Sequence, residues 1–377
     1  MAAGIRRKSA NILWIVLGLA LVFVVVAKIS NRQPTSVRGS LKVLTPPFTA
    51  NKGELIRDLR DRKFQVLDTK LNSYQKAFEQ NVLEEGNLSL AFEAFTFTDP
   101  ALRSPLDDWI KNEPNSYPAH LARAKYLIAL GWQARGSKFT DKTTVQEFNE
   151  MTPLLVEGAK DAIAAVKLNV RASIAYASII EAARGVSDAN AMRSAYAASL
   201  KNVPLSLSTR VAVMNALEPR WGGSYDAMTK FAADAQKYAA QNPRLISLKG
   251  FADEDAGHMA TVDSDWKTAI RFFNQALADG GDFARAYESR AWAYYWLGRY
   301  DDALEDINRS DRLRPQNTSA LELEAYVYFH LNRPQNTLTV IEEYRQFAQP
   351  GADLVSLERR VQNFSASAAP PVQTGGN

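Results

Sequence analysis

Apolar side chains recur at steps of three, four and five along most of this chain, the spacing that gathers them on one face of an α-helix. In Glu54–Gln80 the stripe is Leu55, Leu59, Phe64, Leu67, Leu71, Tyr74 and Phe78. It predicts a helical segment broken once, near Asp61-Arg62. The same pattern predicts helices over Thr144–Leu168, Ser173–Ala183, Ala189–Leu200, Ser208–Leu217 and Tyr225–Ala240. Turn residues separate them at Glu113-Pro114-Asn115, Arg135-Gly136-Ser137, Arg184-Gly185, Val203-Pro204 and Trp221-Gly222-Gly223-Ser224. Ala134-Arg135-Gly136 and Ala183-Arg184-Gly185 end two helices alike, a hint of repeated hairpins. No run alternates with the period of two that a half-buried strand needs, so the expected class is all-α.

One stretch is apolar on every side. Ala10–Ala27 reads ANILWIVLGLALVFVVVA, without charge and with Asn11 as its one strongly polar residue. At about 1.5 Å per residue such a helix covers roughly 27 Å, close to a bilayer core. It is longer than a signal-peptide core of about 7–15 residues, so a retained transmembrane helix is expected. Cleavage is the alternative, with Val25 and Ala27 at suitable small-residue positions. Arg6, Arg7 and Lys8 precede the span, and Lys28, Arg32, Arg38 and Lys42 follow it, which nearly balances the positive-inside rule. A short basic tail, residues 1–9, is expected to stay in the cytoplasm. That gives a single-pass protein of the inner (plasma) membrane with its large domain in a periplasm; the opposite orientation stays open. Residues 28–50, with Pro34, Gly39, Pro46 and Pro47, read as an extended linker. A terminal helix is expected over 352–364, then a small, polar, disordered tail over 365–377.

A period of 34 runs through the C-terminal third. It joins Ala269, Ala303 and Thr337; Phe273, Ile307 and Ile341; and Gly257, Ala291 and Ala325. Two antiparallel helices that cross closely need small residues at the contact, with bulkier ones around it. The best copy, Ala284–Asn317, has Ala291 and Ala303 at such points, Tyr294, Tyr300 and Ile307 as fillers, Gly298 at the turn and Pro315 at the stop. It closely resembles the tetratricopeptide repeat. The flanking copies are looser: Gly250–Phe283 has Asp253 at a usually apolar position, and Thr318–Gly351 has Pro334 at the turn and Thr337 in place of alanine. The resemblance implies a helical-hairpin solenoid over 246–351.

The segment 51–245 carries a second resemblance. Leu55–Tyr74, the stretch WIKNEPNSYPAHLARAKYLIALGWQARG over Trp109–Gly136 and PRWGGSYDAMTKF over Pro219–Phe231 are similar to the bacterial domain of unknown function 4034 family. This implies a helical module beside repeats and no assigned chemistry.

Charge and composition narrow the function. The net charge is +4, but residues 1–50 hold seven basic side chains and no acid, leaving 51–377 at −3. The excess sits beside the span, where anionic head groups attract it; the folded part offers no basic stripe for nucleic acid. The absence of cysteine removes disulfides, thiolate metal sites and cysteine nucleophiles. His120, His258 and His330 lack ligand spacing, so no metal or cofactor is expected. Asp107-Asp108, Glu84-Glu85 and Asp301-Asp302 are expected to cap or solvate helix ends rather than act as acid and base. Gly222-Gly223-Ser224 lacks the lysine and preceding strand of a phosphate loop; its expected role is to turn the chain so that Trp221 packs and Ser224 caps the next helix.

The best candidate site follows from the repeat resemblance, which implies that the second, fifth, ninth, twelfth and thirteenth positions of each first helix face the groove. These are Arg285, Glu288, Trp292, Tyr295 and Trp296, then Ser319, Glu322, Tyr326, Phe329 and His330, with His258 at the ninth position of the preceding copy. Trp292, Tyr295, Trp296, Tyr326, Phe329 and His330 are expected to form an aromatic wall for a partner protein. Burial against the preceding domain is the competing expectation. The lysine and asparagine that clamp a peptide carboxylate in such repeats are replaced here by glutamate and an aromatic. The expected function is a membrane-tethered interaction scaffold or assembly factor rather than an enzyme. An enzyme with its site in 51–245, or an architectural envelope protein, is the alternative.

Overall fold

The computed structural model describes residues 46–139 and 142–368. The expected span Ala10–Ala27, its basic tail, most of the 28–50 linker and the 369–377 tail lie outside them. Among the described residues no helix is long and apolar enough to cross a membrane. They hold helices and turns and no strand.

Helices α1 (Lys52–Arg60) and α2 (Phe64–Gln80) are the expected broken pair. The break falls where Arg62 takes a positive φ of 53°. Helices α3 (Glu85–Glu93), α4 (Arg103–Asn112) and α5 (Tyr117–Arg135) complete the first cluster. Its centre is Trp109, wholly buried, with Phe64 stacked at 6.1 Å and Phe95 tilted at 6.1 Å. The end of the expected linker belongs to the fold. The Asn87 side chain accepts from the Thr49 and Ala50 amides (2.7 and 3.3 Å) and donates to the Pro47 carbonyl (3.0 Å), so this stretch is pinned rather than extended spacer.

Two hairpins follow. They pair α5 with α6 (Val145–Leu168) and α7 (Ser173–Gly185) with α8 (Ala189–Asn202); in place of a third, α9 (Leu207–Ala216) packs back on α7, and α10 (Tyr225–Ala235) follows it. Thr144 and Glu147 form a reciprocal capping box that fixes the start of α6. Glycines set the closest crossings. A Cβ on Gly131 would lie 2.8 Å from Leu155, and one on Gly158 would lie 2.8 Å from Ile128. One acidic pair departs from expectation. Glu85 is 2% exposed and accepts from the Ser206 hydroxyl (2.5 Å) and the Leu207 amide (2.7 Å). It holds the start of a helix more than a hundred residues away instead of solvating its own.

The repeats occupy α11 (Phe251–Val262) with α12 (Trp266–Gly280), α13 (Ala284–Trp296) with α14 (Tyr300–Leu313), and α15 (Thr318–His330) with α16 (Pro334–Arg345). These bounds match the period of 34. The predicted small-residue positions are the crossings: a Cβ on Gly257 would sit 2.5 Å from Phe273, Ala291 packs with Ala303 and Ile307, and Ala325 packs with Ile341. The turns repeat too. Ser264, Gly298 and Asn332, each 34 apart, take positive φ of 57°, 72° and 54°. Only the middle one is glycine; asparagine tolerates this region and serine less so. Pro334, which departs from the repeat pattern, opens α16 at its first turn, where no amide is needed. The terminal helix α17 (Ala352–Ala368) runs four residues past its expected end, through the helix-compatible Ser365-Ala366-Ser367-Ala368.

The coil brings its two ends together. The Lys52 amide donates to Gln316 Oε1 (2.8 Å), Gln316 Nε2 donates to the Ala50 carbonyl (3.0 Å), and Arg314 pairs with Glu93 at 3.2 Å. The Lys52 ammonium lies 5.5 Å from the centre of the Phe347 ring.

Between repeats, burial and the nearby Glu343 and Asp311 push the Glu324 carboxyl up to about 7, against a hydrogen bond from Tyr328. The folded protein therefore holds a proton there that the unfolded chain releases above its ordinary value. This contribution is complete below pH 4.5 and is lost as pH rises toward about 7. Glu324→Gln is expected to gain about 2 kcal/mol over the native chain at pH 8, after allowance for partial exposure, and almost nothing at pH 4. Urea titrations at the two pH values check this; an equal difference at both would show that Glu324 does not titrate with folding.

Candidate functional site: an aromatic wall beside a buried ion network

The thirteen-residue helices α13 and α15 lie side by side, and their ninth to thirteenth positions meet at Tyr295. Its ring contacts Trp292 (5.9 Å), Trp296 (5.4 Å), Tyr326 (6.1 Å) and His330 (5.5 Å), and Phe329 meets His330 at 5.6 Å. All six residues expected in the wall thus lie in one ring-contact network. Polar links fix it: Tyr295 OH lies 3.3 Å from His330 Nε2, and Trp292 Nε1 donates to Ser319 Oγ at 3.5 Å. Burial, with Arg360 nearby, lowers the His330 pKa below the ordinary imidazole value.

Three further residues extend the wall beyond the sequence expectation. Trp266 stacks on Trp296 at 5.6 Å, Tyr300 stacks on His330 at 4.8 Å, and the Arg360 guanidinium lies over Phe329 at 4.6 Å. Trp266 is the position 34 before Tyr300, so the repeat period itself could have pointed to both. Trp296 remains 58% exposed, although its indole is among the most costly side chains to leave in water.

The start of α13 presents a different surface. Arg285, expected to face the groove, reaches back to the helical module. Its Nε pairs with Glu254 (2.6 Å), Nη1 donates to Asn215 (2.8 Å) and Nη2 to Glu218 (3.2 Å). Arg220 joins the same network through Glu218 (2.6 Å) and Asp255 (2.7 Å). The three carboxylates are 1–2% exposed, whereas 31% of the Arg285 side-chain surface is open. Burial disfavours the Arg285 charge, but Glu254 and Glu218 outweigh it and hold its pKa above the ordinary guanidinium value. Burial against the preceding domain therefore describes Arg285, but not Trp296.

The other candidates have structural roles. His120 faces Asp161 at 3.6 Å and lies 3.2 Å from the Pro114 carbonyl; among the described residues no three His, Asp or Glu side chains converge on a metal position. Ser224 caps α10 by accepting from the Ala227 amide at 3.1 Å, as expected. A cavity of about 440 Å³ opens at Asp68, Asn72, Glu113, Ser116 and Asn169. Burial, with Glu113 nearby, raises the Asp68 carboxyl, and the Ser116 hydroxyl donates to it while accepting from the Ala119 amide. This pair braces the start of α5.

A bovine (Bos taurus) protein described as "Protein SGT1 homolog" is 27% identical over 113 residues, covering 30% of this chain and 33% of its own length. The "Sperm-associated antigen 1" of Rattus norvegicus is 30% identical over 131 residues, covering 33% of this chain and 14% of its own. The chain thus spans a third or less of these curated relatives. Among solved structures, yeast Tom70 is 12% identical, covers 85% of this chain and 76% of its own, and has a TM-score of 0.41. PilF of Pseudomonas aeruginosa is 13% identical, covers 66% of this chain and 99% of its own, and has a TM-score of 0.32. Residues 53–192 match the model of the family described as "Domain of unknown function (DUF4034)". With this match ahead of three 34-residue helical hairpins, the chain is a tetratricopeptide-like, all-α helical protein.

Proposed function

We propose that this chain is a membrane-tethered scaffold that holds a partner protein against the wall formed by Trp292, Tyr295, Trp296, Tyr326, Phe329 and His330. The exposed Trp296, held flat by Trp266 within a network of packed rings, carries this reading. Rings fixed in place lose little entropy on binding and shed much ordered water, which makes them interface anchors. The complementary partner is a segment presenting aliphatic or aromatic side chains, since the wall is built of rings and Arg360, the cation beside it, already lies over Phe329. The Ala10–Ala27 run supports the tether, and the basic tail before it supports a domain outside the cytoplasm. A tether of this kind raises the local concentration of membrane partners.

Pull-down of partners by the full detergent-solubilised chain tests the wall. The Trp292→Ala/Trp296→Ala variant is expected to recover at least about tenfold less partner, with far-ultraviolet circular dichroism unchanged. Equal recovery from both proteins would remove the wall from the account. A reporter at the C terminus reads the side of the membrane; activity only in the cytoplasm would reverse the orientation.

A further inference from the structure

The fifth position of each repeat's first helix is a glutamate: Glu254, Glu288 and Glu322, each 34 residues apart. What stands opposite changes along the stack. Thirty-one residues beyond Glu254 is Arg285, whose Nε pairs with it at 2.6 Å, and the Ser289 hydroxyl adds a hydrogen bond of 2.8 Å. The same step from Glu288 reaches Ser319, but Asn317 Nδ2 donates to Glu288 at 2.5 Å, and the Arg314 guanidinium is near enough for Glu288 to help hold its charge. From Glu322 the same step reaches Asp353, an acid where the first copy places a guanidinium. The other supports are gone as well: the residues 34 beyond Arg314 and Asn317 are Ala348 and Gly351. Among the described residues neither the Glu322 nor the Asp353 carboxylate accepts a hydrogen bond or forms an ion pair.

The two carboxylates face each other across the cleft between α15 and α17, which pack together. Ser319 and Tyr326, one turn to either side of Glu322, both touch α13, through Trp292 Nε1 (3.5 Å) and the Tyr295 ring (6.1 Å). Glu322 therefore points to the face that carries the wall. On α17, Asp353 stands two turns before Arg360, whose guanidinium lies over Phe329 at 4.6 Å. Glu322 stands two turns before Phe329 in the same way, so one register across parallel helices sets both pairs. Burial and the neighbouring Asp353 accordingly raise the Glu322 carboxyl, and burial together with both acids raises the Tyr326 hydroxyl. Glu322 is half-buried and Asp353 exposed, so a side chain from outside can reach both. The free amides at the start of α17 favour Asp353, but Glu322 lies beyond the first turn of α15, where such help has faded. A half-buried carboxylate beside a like charge is short of a cation.

We propose that Glu322 and Asp353 seat a lysine or arginine side chain of the segment that lies on the aromatic wall, so that the partner carries a basic residue beside its apolar anchors. This rests on the wall being the docking face. The cation takes the place that the Arg285 guanidinium fills between the first two copies, with two carboxylates to receive its N–H groups. Charge complementarity decides the partner's chemistry. An acidic segment adds a third negative charge to a place already short of compensation, whereas a basic one relieves the repulsion.

Fluorescence anisotropy with the full solubilised chain tests this, using a labelled peptide of alternating leucine and lysine and its counterpart with glutamine in place of lysine. The native chain is expected to bind the lysine peptide about tenfold more tightly, a margin that shrinks with added salt. Glu322→Gln/Asp353→Asn is expected to bind both peptides alike, at the native affinity for the glutamine peptide. Asp353→Arg, which restores the arrangement of the first copy, is expected to abolish the lysine preference and to raise the melting temperature. Both changes remove a repulsion, so the fold is expected to survive them, as circular dichroism would read. Trp292→Ala/Trp296→Ala is expected to weaken both peptides and leave their ratio unchanged. Equal binding of the two peptides by the native chain, or a lysine preference that survives Glu322→Gln/Asp353→Asn, overturns the inference and leaves the wall standing so long as the tryptophan variant weakens both peptides. Binding of neither peptide, or no weakening in the tryptophan variant, overturns both.

Discussion

Replacing Arg285 with alanine is expected to cost about 3 kcal/mol of folding stability. The side chain joins the helical module to the repeats, and its removal leaves Glu254 with the Ser289 hydroxyl (2.8 Å) and Glu218 with Arg220 alone. Both carboxylates are 2% exposed, so neither recovers its hydration unless the surrounding helices part. The figure sits at the lower end of the range for a broken buried pair because the Arg285 side chain is itself partly open to water. Urea unfolding checks it, read at the midpoint with the slope required to stay constant. The double variant Arg285→Met/Glu254→Gln is expected to recover a large part of the loss, because neutral glutamine costs less to bury than an unpaired carboxylate. A loss below about 1 kcal/mol in the single variant would mean that the network behaves as a surface ion pair.

Gly257→Val is expected to destabilise by about 3 kcal/mol. A Cβ alone would sit 2.5 Å from Phe273 Cε1 and 2.7 Å from Cδ1. Phe273 is wholly buried, so its ring has no free direction in which to yield. Glycine in a helix normally costs about 1 kcal/mol relative to alanine, and that gain on substitution is overridden here by the clash. Ala291→Val and Ala325→Val, the equivalent changes, should destabilise as well. Melting temperatures of the three variants measure it. A neutral Gly257→Val would mean that α11 and α12 do not cross at this position.

These two sites differ in how far the sequence disclosed them. The crossing at Gly257 was legible because a hairpin stack imposes one period on small and bulky positions alike. The same period brings the six aromatic residues named from it into one network of ring contacts. The ion network was not legible. Asp253, Glu254 and Asp255 are three consecutive acids, and Glu218, Arg220 and Arg285, which complete the network, are thirty or more residues from Glu254 and Asp255. Nothing local distinguishes a carboxylate that will be enclosed from one that will face water; that is decided by which helices later close over it. Glu85 misled for the same reason. The bounds of the C-terminal helix and the pinned stretch before Lys52 were missed because weakly apolar segments carry no period, and their order comes from what they pack against.

The link from Ala50 and Lys52 to Gln316, and from Glu93 to Arg314, bears on how such an array would come apart. Stacked hairpins that touch only their neighbours can fray from either terminus, one unit at a time. Here the leading helices rest on the trailing hairpins, so among the described residues the first helices and the last repeat support each other. Opening at the head removes support from the tail, and the whole array is bound into one cooperative event, more like a clasped bracelet than a row of beads.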